Sequence, residues 1–193
     1  MEENKVVPRF KVVIIAGSAG SLEVLMQVLP KLKSTPAFAL VIVLHRKNTE
    51  DNTLEELIAI KSHITVREVE DKTVLLPGFI YVAPSDYHLL FETNGELSLD
   101  TSEKINYSRP SIDVSFESAA QVYGPALTGI LLSGANADGT HGLKIIKQQG
   151  GTVVIQDPAT AEMPFMPRTA LENITPHYVL DVPGLLGYIN AIN

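Results

Sequence analysis

Three residues carry the chemistry of a hydrolytic triad, and each stands just past an apolar run. Ser18 follows Val12-Val13-Ile14-Ile15, His45 follows Ala39-Leu40-Val41-Ile42-Val43-Leu44, and Asp138 comes shortly after Leu127 to Leu132. A serine hydroxyl is a poor nucleophile at neutral pH and needs a base. Histidine supplies one, because its unperturbed pKa of about 6.5 allows both uptake and return of a proton. An aspartate on the other ring nitrogen fixes the tautomer and stabilises the imidazolium formed during attack. With zero cysteines in the chain, the nucleophile is an oxygen or a nitrogen.

The elements that must position this set are strands of one sheet. Runs of about six residues rich in Val, Ile and Leu, separated by helix-length amphipathic segments, read as buried strands of a parallel sheet. Catalytic groups in such sheets gather at the carboxyl ends of the strands, so residues far apart in sequence converge in one cleft. Ser18 lies in Ala16-Gly17-Ser18-Ala19-Gly20, a sharp strand-to-helix turn whose small residues leave the hydroxyl exposed. It nearly matches the nucleophile elbow Gly-x-Ser-x-Gly. Ala16 replaces the first glycine, however, and the order Ser, His, Asp is not that of α/β-hydrolases, which disfavours that family. Asp138 closes Ser133-Gly134-Ala135-Asn136-Ala137, a loop opening a helix, where backbone N–H groups can point at a developing oxyanion.

Blander readings compete. A Gly/Ser-rich turn after a first strand is also a phosphate or dinucleotide cradle, but that motif expects an acidic residue at the end of the second strand, where this chain has His45. Taken singly, His45 reads as a capping or surface histidine and Asp138 as a helix N-cap. Asp138 and His141, at i and i+3, can in principle share an ion, although His63, His88, His141 and His177 form no metal-ligand motif. Asp86 and Asp113 read as turn and helix-start residues. All three triad types at matching strand ends form the less accidental pattern.

Along the chain, Ser21 is expected to cap a helix to about Lys31 with an apolar stripe of Leu22, Leu25, Met26 and Leu29. A polar loop from Arg46 to Asp51 leads to a helix carrying Leu54, Leu57 and Ile58, then to an extended stretch from Ile64 to Val69. Phe79 to Ala83, Tyr87 to Glu92 and Glu96 to Asp100 interrupt the βαβ rhythm. Asn94-Gly95 joins the last two as a hairpin, an expected antiparallel addition to the sheet. Pro110 suits the first turn of a helix to Tyr123, which Gly124-Pro125 ends. Gly139 to Gln149 reads as a helix, Thr152 to Gln156 as a strand and Pro183 to Ile192 as a final helix. There is no internal repeat, so the expectation is one catalytic domain, residues 1–193. Its fold would be doubly wound three-layer α/β/α, mostly parallel, with a small antiparallel hairpin extension.

Composition narrows the functional classes. At 193 residues and 45% hydrophobic content the chain has material for one core. No apolar run reaches the roughly 18 residues of a membrane span, and Met1-Glu2-Glu3-Asn4-Lys5 lacks an export signal, so a cytoplasmic protein is expected. With 22 acidic against 15 basic residues, neither nucleic acid nor an anionic membrane is an expected partner. Arg46-Lys47, beside His45, is a local basic spot.

The ordered series Ile15-Ala16-Gly17-Ser18-Ala19-Gly20-Ser21, the His45 loop, Leu76-Pro77-Gly78, Tyr81-Val82-Ala83-Pro84 with His88, Arg109-Pro110-Ser111-Ile112-Asp113, Asp138-Gly139 and Met166-Pro167-Arg168 resembles the catalytic domain of chemotaxis-type protein-glutamate methylesterases from about Val12 to Val182. The resemblance implies that Ser18 attacks a glutamate methyl ester on a chemoreceptor. His45 would act as base and then acid, Asp138 would orient it, and the Ala135 N–H would serve as oxyanion donor. It implies no cofactor and no metal, a methylated chemoreceptor or related signalling protein as partner, and deamidation of receptor glutamines in some relatives.

Departures lie close to the chemistry. Family members commonly have Ser-Thr-Gly-Gly at Ser18-Ala19-Gly20-Ser21, Gln-His-Met-Pro at Leu44-His45-Arg46-Lys47, and Gly-Met-Gly at Gly134-Ala135-Asn136. The pair Arg46-Lys47 is either a contact for an acidic receptor helix or a solvated loop. No receiver domain is expected, since Ser18 lies close to the start. The site is then constitutively open, controlled by a separate regulatory protein, or part of a longer chain. A non-catalytic module gripping the same partner is the alternative to the esterase.

Overall fold

The computed structural model describes residues 10–46 and 53–192. Its strands are β1 (Lys11–Gly17), β2 (Phe38–Leu44), β3 (Thr65–Glu68), β4 (Thr73–Val74), β5 (Phe79–Val82), β6 (His88–Phe91), β7 (Glu96–Asp100), β8 (Leu127–Leu131), β9 (Thr152–Gln156) and β10 (Tyr178–Leu180). Its helices are α1 (Ser21–Val28), α2 (Thr53–Lys61), α3 (Ile112–Tyr123), α4 (Thr140–Gln148), α5 (Phe165–Asn173) and α6 (Val182–Ala191). Seven strands form one sheet in the order β10-β9-β8-β1-β2-β5-β3, and every pair in it is parallel. The continuous apolar runs behave as expected of strands covered on both faces. All of β2 is buried, as is β1 beyond Lys11.

Period-two alternation sends the two faces of each strand into separate cores. Val12, Ile14 and Ala16 pack with Ile112, Phe116 and Ala119 of α3, Leu143 of α4 and Met166 of α5. Val13 and Ile15 pack on the opposite face with Val24 and Leu25 of α1, Ile58 of α2 and Leu185 of α6. The result is the three-layer α/β/α architecture.

Several local expectations are corrected. The Phe79 to Val82 run is not part of the antiparallel interruption; it is β5, inserted parallel between β2 and β3. Its Ile80, Tyr81 and Val82 are buried, and three consecutive buried positions mark a strand covered on both faces. The hairpin does not extend the main sheet. β6 and β7 pair antiparallel and join β4 in a separate three-stranded sheet, whose Leu89, Phe91 and Leu97 pack onto the core beneath α3. In α1 the buried face is Val24, Leu25 and Val28, while Leu22 is exposed. Pro110 stands one residue before the cap of α3, which is Ser111, its Oγ accepting from the Val114 N–H. Lys47 to Asp51 of the expected polar loop lie outside the described residues.

Candidate active site

Ser18 owes its place to the register of three adjacent strands. Gly17 lies opposite Leu44 in the β1–β2 pair, and Ala16 opposite Leu131 in the β1–β8 pair. Backbone bonds continue this pairing past the strand ends: the His45 N–H donates to the Gly17 carbonyl at 3.0 Å, the Leu132 N–H to Ala16 at 2.8 Å, and the Ser18 N–H to Ser133 at 2.9 Å. Ser18, His45 and Ser133 therefore sit side by side on the carboxyl edge. Strand order reverses between β1 and β8, so this edge is the crevice in which open α/β sheets bind ligands.

The turn after Ser18 needs its glycines. Gly20 has a φ of 82° and caps α1 in place of the expected Ser21. Ser21 turns inward and donates its hydroxyl to the Ser133 carbonyl at 2.7 Å, locking the Ser18 turn to the loop after β8. A Cβ at Gly17 would collide with the Ser21 hydroxyl and lie 3.1 Å from Leu132 Cβ.

Asp138 is not the N-cap of α4; Gly139 is. Its side chain, fully buried, crosses to the N-terminus of α3, where Oδ2 accepts from the Ile112 N–H at 2.7 Å. Oδ1 accepts from the Asp113 and Gly139 N–H groups, both at 3.0 Å, and from Ser111 Oγ at 3.1 Å. A carboxylate there meets the positive end of the helix dipole as well as unpaired N–H donors. The remaining bond is to His45, whose Nε2 lies 2.7 Å from Asp138 Oδ2. Burial alone would raise the Asp138 carboxyl, but the bonds from His45 and from the Asp113 and Ile112 N–H groups outweigh it and hold the carboxyl below its ordinary value. His141 is exposed on α4, while Asp138 is fully buried.

His45 is thus brought together with Asp138 through one ring nitrogen, and its other nitrogen, Nδ1, is turned toward Ser108 Oγ and Asn136 Nδ2, each at 3.4 Å. Ser18, next to His45 along the sheet edge, makes no side-chain hydrogen bond among the described residues. Hydrogen bonds between a nucleophile and its base are often open before substrate binds. Beside His45 opens a cleft of about 460 Å³, lined also by Arg46, Asp86, Lys104, Tyr107, Ser108 and Arg109. The basic spot read from sequence is altered. Arg46 is bound by both carboxylate oxygens of Glu55 on α2, at 3.1 and 2.6 Å, while Lys47 lies outside the described residues. The Ala135 N–H has no hydrogen-bond acceptor among the described residues, which leaves it available as a donor.

Asp113, read from sequence as a helix-start residue, does more. It lies in the first turn of α3 and accepts from the Gly142 N–H at 2.7 Å, tying α3 to α4 behind Asp138. Burial first, then repulsion from Asp138, push its carboxyl up to about 6 despite the Gly142 bond. A raised native pKa means that the folded state binds more proton than the unfolded chain between about pH 4 and about pH 6, so stability falls as pH rises through that window. The depressed Asp138 carboxyl acts oppositely, its contribution being lost as pH falls through its native pKa. Asp113→Asn keeps an acceptor for Gly142 and removes the penalty. It is expected to raise stability at pH 7.5 by about 1 kcal/mol, or about 2–4 °C in Tm, and to leave the parent more stable only in acid. Paired thermal melts at pH 4 and pH 7.5 check this.

A parallel three-layer α/β/α sheet thus carries Ser18, His45 and Asp138 at its carboxyl edge, with His45 bonded to Asp138. The chain belongs to the CheB methylesterase family, whose model matches residues 13–189. A Leptospira interrogans protein, provisionally named a protein-glutamate methylesterase/protein-glutamine glutaminase, is 41% identical over 173 residues, covering 90% of each chain. The protein-glutamate methylesterase/protein-glutamine glutaminase of Thermotoga maritima is 35% identical over 88% of this chain and 50% of its own length, so this chain spans about half of that relative. The crystal structure of the Thermotoga maritima CheB methylesterase catalytic domain matches with a TM-score of 0.89 at 33% identity, covering 95% of this chain and 98% of that one.

Proposed function

We propose that residues 1–193 act as one catalytic unit that hydrolyses glutamate methyl esters on a chemoreceptor or related signalling protein, at the cytoplasmic face of the membrane. The observation that supports this most is the 2.7 Å bond from His45 Nε2 to a buried Asp138, which leaves Nδ1 as the acceptor at the mouth of the cleft. In the proposed cycle Nδ1 takes the Ser18 proton as Oγ bonds to the ester carbonyl carbon, and the Ala135 N–H donates to the oxyanion. Collapse breaks the C–O bond to methoxide, which leaves as methanol with the proton from His45. Water then gives a proton to His45, attacks the acyl-serine, and releases the glutamate carboxylate and free Ser18. Ammonia in place of methanol makes the same cycle a glutaminase. No membrane-crossing helix occurs among the described residues, consistent with a protein that meets the receptor from one side.

Methanol release from methylated receptor membranes tests the reading. The parent is expected to release it at a rate that Ser18→Ala loses. A folded parent that binds the membranes but releases none, beside a working control enzyme, would replace the esterase by a non-catalytic receptor-binding module.

A further inference from the structure

The groups around the free edge of His45 carry an inference beyond the triad, and it rests on the reading of His45 as general base. Asn136 Oδ1 accepts from the Asp138 N–H at 3.1 Å, which fixes the orientation of the amide. The atom 3.4 Å from His45 Nδ1 is consequently the NH2 nitrogen, a donor only. Ser108 Oγ, also 3.4 Å from Nδ1, can donate or accept and adapts to either protonation state of the ring. Asn136 cannot, because its oxygen is already committed. An amide N–H aimed at the Nδ1 lone pair favours the neutral ring with its proton on Nε2, the nitrogen that faces Asp138, and opposes the imidazolium, whose Nδ1–H would meet another donor.

We propose that Asn136 is a positioning residue. It holds the resting His45 as the neutral Nε2–H tautomer, with the Nδ1 lone pair kept for the proton of Ser18, and yields its place when the serine hydroxyl closes on Nδ1. The charged groups around His45 are Asp138 on Nε2, the Arg46–Glu55 pair beside it, the Arg109–Asp86 pair across the cleft, Lys104 on the cleft wall, and Asp113 behind Asp138. A substitution at 136 reaches these groups at one point, the Asp138 N–H that Asn136 Oδ1 accepts from, and Asn136→Asp keeps an acceptor there while Asn136→Ala does not.

The test is 15N imidazole NMR of the full chain, titrated through the neutral range, with Asn136→Ala and Asn136→Asp beside the parent. In the parent the neutral ring is expected to show a proton on Nε2 and none on Nδ1. Asn136→Ala is expected to raise the His45 midpoint by about half a pH unit, while Asp138 keeps the neutral ring's proton on Nε2. Asn136→Asp, which puts an acceptor and a negative charge at Nδ1, is expected to raise it by about one unit or more. The acid limb of kcat/KM should move with the midpoint. An unchanged or lowered midpoint in both folded variants overturns the proposal. The spectra need no substrate, so a chain that released no methanol would refute the esterase while leaving this result to stand or fall on its own.

Discussion

Ser18→Ala is expected to lower kcat for ester hydrolysis by about 10,000-fold or more, leaving only what the remaining donors and binding can do. The fold should not register the change. Among the described residues the Ser18 hydroxyl bonds to nothing, while the bonds that set the turn come from its backbone: its N–H to Ser133 and its carbonyl from the Ser21 N–H at 3.0 Å. An alanine preserves both, and the expected stability change lies within about 0.5 kcal/mol. Steady-state methanol release and a thermal melt on the same preparation separate the two quantities. A variant that lost activity together with several degrees of Tm would place Ser18 among the structural residues instead.

Asp138→Asn should fail in both respects. Loss of the carboxylate removes the group that fixes the His45 tautomer and stabilises its charged form, and the expected fall in kcat is again about 10,000-fold. Here the fold also suffers. Oδ1 accepts from Ser111 and from the Asp113 and Gly139 N–H groups, and Oδ2 from Ile112 and His45, so either orientation of an amide turns its NH2 toward at least one backbone donor. The burial is complete, and leaving such donors unpaired is expected to cost about 3 kcal/mol. The sign with pH follows from the depressed native pKa. The deficit relative to the parent is fully present above about pH 4 and shrinks as pH falls through that pKa, where the parent's own carboxyl becomes protonated. Two variants that are equally inactive, one with parental stability and one without, would distinguish a nucleophile from the group that organises the site.

That distinction also marks what was legible in the sequence. The positions of Ser18 and His45 follow from local signals, since β1 and β2 are uninterrupted apolar runs and the chemistry sits one residue beyond each. Asp138 was legible as a candidate because it stands in the loop that follows the third apolar run, but its setting was not. Its partners are backbone N–H groups 25 and 26 residues earlier, and a backbone donor carries no side-chain signature. The serine and aspartate in Ser111-Ile112-Asp113 were a visible trace of that contact, since a helix start with a polar cap is where an anion can dock. The insertion of β5 was hidden because pairing order between parallel strands is set by crossovers, not by local pattern. Arg46 reads as an exposed cation in sequence and is neutralised by Glu55 on α2, nine positions on, a pairing that no local pattern announces.

The central claim is that Ser18 is acylated by a glutamyl methyl ester, and acid quenching during turnover of a short peptide bearing one such ester tests it most directly. Mass spectrometry of the digested protein should find an adduct equal to the peptide less methanol on the fragment that carries Ser18, and none in Ser18→Ala. Methanol release at the parental rate by Ser18→Ala, or an adduct on another residue, would contradict the account.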